Sequence, residues 1–136
     1  MADCIFCMII DGRIPSAKIY EDARVLVFLD INPVVPGHTL VVPKTHCRML
    51  WDAPTEALEA CSAVLKRVAA ALMTGLAAEG LNVVQNNGAV AGQEIEHVHF
   101  HLIPRYRGDG FKVPWPARPY PEGALERTLA KIKAAL

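Results

Sequence analysis

Three of the chain's five histidines fall in the run His97-Val98-His99-Phe100-His101-Leu102-Ile103. Histidine has the side chain whose ordinary pKa lies nearest neutrality, so it can serve as nucleophile, acid–base group or metal ligand. The alternation with large apolar residues has a period of two, which reads as a half-buried β-strand. On a strand, residues i, i+2 and i+4 share a face. Val98, Phe100 and Leu102 are then expected in the core. His97, His99 and His101 would stand in a row on the other face, roughly 7 Å apart.

The remaining histidines are His38, after Pro36-Gly37, and His46, after Pro43-Lys44-Thr45. If their strand lies beside the row, they can reach its two ends. One end then has the makings of a metal site. Cys4 and Cys7 form a C-x-x-C pair, and with His46 and His97 they would make a tetrahedral Cys₂His₂ zinc set. The same cysteines could instead form a buried apolar turn with no metal. A redox dithiol lacks its usual βαβ surroundings. At the other end His38, His99 and His101 stay clear of metal. A neutral imidazole between two others suits attack on phosphorus, and its neighbours could offset phosphate charge. The loop Asn86–Gly92, running into Gln93, offers N–H groups and amides for an anion, although Asn-Gly is also an ordinary turn.

The elements that must position these groups follow from pattern. Lys18–Glu21 and Val25–Asp30 read as a hairpin turning at Asp22-Ala23. A Pro-rich loop closes at Pro36-Gly37, and His38–Val42 is a third strand stopped by Pro43. Leu58, Cys61, Leu65, Val68, Leu72 and Leu76 recur at helical spacing, with Asp52 as N-cap, Pro54 in the first turn and Gly80 as terminator. Cys61 falls on this stripe as a small core residue. Leu81–Gln85 and Glu96–Pro104 are strands four and five, and Glu122–Leu136 is a C-terminal helix. Residues 4–10 can form a helical turn or a knuckle. Short connections favour an antiparallel sheet with helices packed on it, an α+β fold.

A chain of 136 residues suits one domain, here 1–136 with a core over 4–105 and a tail with helix over 106–136. It has no 18-residue apolar run, so no membrane span is expected. Met1-Ala2-Asp3-Cys4 lacks the features of a secretory signal, which makes a cytoplasmic location the expectation. Lys and Arg balance Asp and Glu at a formal net charge of +0. With no basic run, a nucleic-acid footprint is not indicated.

The residues resemble the histidine triad, or HIT, superfamily. Its signature alternates three histidines with apolar residues, and His97–Ile103 matches at every position. Asp30-Ile31-Asn32-Pro33, Pro36-Gly37-His38, Val41–His46 and Ala91-Gly92-Gln93 also match, in consistent order. Cys4-Ile5-Phe6-Cys7 with Ile14-Pro15 is similar to the zinc-containing members, of the Hint branch. The resemblance implies five antiparallel strands with two helices, dimerising into a ten-stranded sheet. It implies a purine nucleotide of AMP type, with His99 attacking the α-phosphorus to form a nucleotidyl-histidine that water hydrolyses. By the same resemblance His101 and His38 meet phosphate oxygens, Gln93 and Asn86 hold the phosphate, and the main chain of His97 fixes the tautomer of His99. Asp30 would take the ribose hydroxyls, with Ile5, Phe6, Ile9, Phe28 and Leu29 around the base, and structural Zn²⁺ would fall on Cys4, Cys7, His46 and His97.

Plainer roles stand beside these. Ile5 and Ile9 can be packing for the knuckle, Phe28 or Leu29 simple core, and Asp30 only a turn cap. Trp115 and Tyr120 can pack on the surface or across a dimer. Glu94 stands where phosphoramidase-like members carry Ser or Thr, which leaves the leaving group open. Sugar-nucleotide transfer needs a His-Pro-His-x-Gln pattern that Val98 and His101 break. The leading reading is hydrolysis of an adenosine 5'-monophosphoramidate. The alternatives are a dinucleoside polyphosphate hydrolase of the Fhit type, a nucleotide-binding protein with little turnover, and a metalloenzyme using all three histidines of the row as ligands.

Overall fold

The computed structural model describes residues 3–112 and 116–136, so Trp115 lies outside the described residues. The order of elements is α1 (Ile5–Ile10), β1 (Lys18–Glu21), β2 (Val25–Leu29), β3 (Thr39–Pro43), α2 (Thr55–Gly75), β4 (Gly80–Val84), β5 (Phe100–Arg105) and α3 (Ala124–Ala135). The strands form one five-stranded antiparallel sheet in the order β1-β2-β3-β5-β4. This is the expected α+β arrangement, and the segment after Cys4 resolves as a helix.

The strand periodicity sorts side chains between two layers. Val25, Val27, Val41 and Leu102 meet Cys61, Val64, Val68 and Leu72 of α2, with Phe100 packed against the cluster. Leu26, Phe28, Leu40 and Val42 point the other way, onto Phe6 and Ile9 of α1. Strands β2 and β3 are therefore covered on both faces, which explains why they read as unbroken apolar runs. The odd-numbered histidines of the row fall on the α1 side. The β1–β2 hairpin turns where expected, because Asp22 Oδ1 accepts from the N–H groups of Arg24 and Val25 at 2.7 and 2.8 Å.

Three sequence expectations are corrected. Strand β5 begins at Phe100 rather than Glu96. Before it, the Val98 N–H donates to the Cys47 carbonyl at 2.8 Å. Helix α2 ends at Gly75, five residues short of Gly80, which opens β4 instead. Leu76 then caps the helix, its carbonyl accepting the Tyr106 hydroxyl at 3.1 Å. Asp52 lies in a short 3₁₀ turn, Leu50–Asp52, and Pro54 occupies the N-cap without a side-chain bond.

Candidate active site

The α1 face of the sheet holds a cavity of ≈ 450 Å³. Its floor is the end of β2 and the starts of β3 and β5. Its walls are α1 and the loops 30–38 and 86–95. Ile5, Phe6, Ile9, Phe28, Leu29, Asp30, His38, Asn86, His99 and His101 all line it. Ile14, Ile31, Val34, Leu40 and Ile95 line it too. Val34 and Ile95 come in on loops and Leu40 on β3, through contacts distant in sequence, so no local pattern marks them as cavity residues. The plainer roles hold in part: Ile9 and Phe28 belong to the core cluster as well as to the cavity wall.

The histidines divide as two sets. His38, His99 and His101 gather at the cavity. The His38 and His101 rings lie 5.1 Å apart between centroids, and those of His99 and His101 lie 4.9 Å apart. Phe6 stands edge-on to His99 at 5.0 Å, walling its ring from solvent. His99 is only 5% exposed and His38 only 4%.

Backbone groups fix the proton positions. His99 Nδ1 lies 2.7 Å from the His97 carbonyl oxygen. A carbonyl only accepts, so Nδ1 carries the proton and Nε2 presents a lone pair. The Val34 N–H donates to His38 Nδ1 at 3.2 Å. A neutral His38 then has its proton on Nε2, which donates to His101 Nδ1 at 2.8 Å. That leaves the N–H of His101 on Nε2. Burial favours the neutral rings: it pushes His38 and His99 below the usual imidazole range. His101 is lowered to about 4, by burial first and by the neighbouring His99 and His38 second. Asp30 opposes the shift at His38, with Oδ2 3.9 Å from His38 Nε2.

The second set is Cys4, Cys7, His46 and His97, whose ligand atoms all lie within 4.8 Å of one another. His97 Nε2 donates to the Pro43 carbonyl at 2.8 Å, so its Nδ1 lone pair faces the cysteines. Cys4 Sγ is 3.4 Å and Cys7 Sγ 3.7 Å from that nitrogen, and His46 Nδ1 is 3.3 Å from Cys7 Sγ. A histidine tied through its distal N–H to a carbonyl, beside two thiols, is the donor arrangement of a zinc site. The residues present fit that metal. His97 is fully buried, and Phe6 stacks edge-on against it at 5.9 Å.

Gln93 departs from expectation. It is 6% exposed and does not line the cavity. Its Oε1 accepts the Gly88 N–H at 2.7 Å and its Nε2 donates to the Arg48 carbonyl at 2.8 Å. Both ends of the amide help to hold the loop, through one of its two N–H groups and one oxygen lone pair. Asn86 does reach the cavity, and Gly92 beside it takes a φ of +93°, open to glycine at little cost.

Comparison with known proteins gives one result throughout. The HIT domain family matches residues 11–108. Adenosine 5'-monophosphoramidase HNT1 of Saccharomyces cerevisiae is 47% identical over 118 residues, covering 86% of this chain and 72% of that protein. A HIT family protein from Bacillus subtilis superposes with a TM-score of 0.91 at 43% identity, covering 98% of this chain and 97% of the other. A zinc-bound histidine triad family protein from Mycobacterium smegmatis gives a TM-score of 0.76 at 40% identity, covering 99% of both chains.

Proposed function

Since the chain belongs to the HIT family, we propose that it is a purine nucleotide hydrolase of the adenosine 5'-monophosphoramidase type. The observation that carries the reading is the pairing of His99 Nδ1 with the His97 carbonyl, which leaves Nε2 as an unprotonated nucleophile beside two further histidines. In the proposed reaction the His99 Nε2 lone pair forms a bond to the α-phosphorus. The P–N bond of the substrate breaks, its electron pair stays on the amine nitrogen, and that nitrogen takes a proton from solvent and departs as the neutral amine. Water then adds to phosphorus, the P–Nε2 bond breaks with its pair returning to His99, and the proton of the water passes to solvent. The Nε2–H of His101 donates to a phosphate oxygen, and His38 holds His101 in the tautomer that can do so. Burial of the His38 and His99 rings strengthens these contacts by excluding water.

Asp30 takes the ribose hydroxyls, with Ile5, Phe6, Ile9, Phe28 and Leu29 against the base. Asn86 meets the phosphate, and Gln93 acts through the loop it holds. Cys4, Cys7, His46 and His97 hold a structural Zn²⁺, which cross-links α1 to the strand ends and takes no part in the chemistry. The zinc-bound relative supports this assignment. A homodimer that continues the sheet is supported by β4, a sheet edge whose Val83 is 55% exposed. Four free cysteines suit the reducing interior of a cell, and no helix among the described residues is long and apolar enough to cross a membrane.

The test compares kcat/KM for an adenosine 5'-phosphoramidate and a dinucleoside polyphosphate, together with a rapid-mix assay for labelled protein from an α-labelled donor. Preferred phosphoramidate turnover with a burst of labelled wild-type protein, absent in His99→Ala, is the expected result. Preference for the polyphosphate would move the protein to the other hydrolytic class, and no burst with no turnover would leave a binding protein.

A further inference from the structure

Glu94 occupies a position the reaction above does not use. It is exposed, and it lines the nucleotide cavity together with Asn86 and His99. It also lines an adjoining cleft with Asp3, Arg48 and Glu96. Within that cleft three carboxylates face one guanidinium. Arg48 is already paired with Glu96 at 2.8 Å, and Glu94 forms no ion pair among the described residues. A divalent ion held by two thiolates and two neutral histidines adds no net charge at the cleft's edge.

The topology decides which part of a substrate meets Glu94. The proposed nucleoside contacts, Phe28 to Asp30, lie at the end of β2. His101 is on β5, two strands along, and residues 86–94 belong to the connection from β4, the strand beyond it, back to β5. A nucleotide laid with its base over β2 and its phosphate at the histidines therefore directs the group on the far side of phosphorus toward Asn86 and Glu94. We propose that Glu94 makes this site selective for leaving groups that carry positive charge, cationic amines, over leaving groups that carry negative charge. This deepens the hydrolase reading and rests on it. When the P–N nitrogen itself is protonated, the carboxylate favours that form. The nitrogen then departs with the bond pair as a neutral amine that already holds its protons, so no protein group must supply one.

The test uses two adenosine 5'-phosphoramidates of similar length. One is made from ethylenediamine, with a free ammonium end, and the other from β-alanine, with a free carboxylate end. Wild type is expected to favour the ammonium substrate in kcat/KM, and rising ionic strength to shrink that preference. Glu94→Gln should lower the ratio about fivefold, near the upper limit for an exposed ion pair, and Glu94→Asp should retain most of it. A ratio identical in wild type and Glu94→Gln, or a wild-type ratio insensitive to salt, overturns the role of Glu94 while leaving the hydrolase intact. Failure of wild type to turn over either substrate overturns the hydrolase reading itself. The salt series needs only wild-type protein, so an insensitive ratio overturns the role of Glu94 even if a variant folds poorly.

Discussion

His99 Nδ1 donates its proton to the carbonyl oxygen of His97, 2.7 Å away, and this bond joins the two halves of the site. His97 turns its own ring to Cys4 and Cys7 while its main chain sets the tautomer of His99. A nucleophile is thus oriented by a residue whose side chain is committed elsewhere. The split of roles between His97 and His99 also bears on whether the whole row could bind one metal. Were all three histidines ligands to one metal, His97 and His99 would have to converge, but the free Nδ1 of His97 faces the two cysteines.

Replacing His99 by Ala is therefore expected to abolish turnover and spare the metal. Loss of a covalent nucleophile should lower kcat by about 10⁴-fold or more. Zinc content, measured by mass spectrometry, should stay at one per chain. Loss of zinc with activity would favour the three-ligand model.

The buried rings predict the pH dependence. His101 falls to about 4 in the folded chain, against an ordinary value near 6.5. Its folded pKa is depressed, so the unfolded chain binds the extra proton first as pH falls. Stability is then whole above about 6.5, declines between about 6.5 and 4, and levels off below. Thermal melting from pH 7 to pH 4 should show that decline, with a shallower slope in His101→Gln. His99 is also lowered, so the acid limb of kcat/KM should lie below pH 6.5. An acid limb above 6.5 would contradict a neutral buried nucleophile.

Metal removal should act on the cavity through α1. That helix has six residues, too few to hold itself in water, yet its Phe6 walls both His97 and His99. Cys7→Ser is expected to lose zinc and about 2 kcal/mol of stability or more, a fall of about 5–10 °C in Tm. KM should rise more than kcat falls, since the nucleophile's own bond to the His97 carbonyl lies outside α1. Unchanged Tm and KM in a zinc-free Cys7→Ser protein would mean that the cross-link is dispensable.

Much of this was legible in residue patterns because the central strands β2 and β3 are covered on both faces. Val98 and Leu102 are fully buried, and His99 and His101 do share the opposite side. Period two could not reveal where β5 begins. Extending the β3–β5 register from Val41 opposite Phe100 would set Pro43 opposite Val98. Proline has no N–H for a ladder, and the Pro43 carbonyl is taken by His97 instead. The end of α2 was hidden for a similar reason. Leu76 continues the apolar spacing, but its carbonyl is drawn to Tyr106, 30 residues away. Local signals stop where partners distant in sequence take over.

Gln93 gives the sharpest separation between a family expectation and the observed contacts. A glutamine that grips phosphate directly would, when truncated, weaken every nucleotide ligand and leave the fold alone. The observed glutamine bridges the Gly88 N–H and the Arg48 carbonyl, both of which lose a buried partner in Gln93→Ala. Such a loss costs about 1–3 kcal/mol, so Tm should fall with the mutation. The loop from Gly88 to Glu94 would then relax, and Asn86 and Glu94 with it. Effects on kcat/KM should accompany greater amide exchange at Gly88, read by hydrogen–deuterium exchange. A protein with wild-type Tm and exchange but weakened AMP binding would return Gln93 to the phosphate.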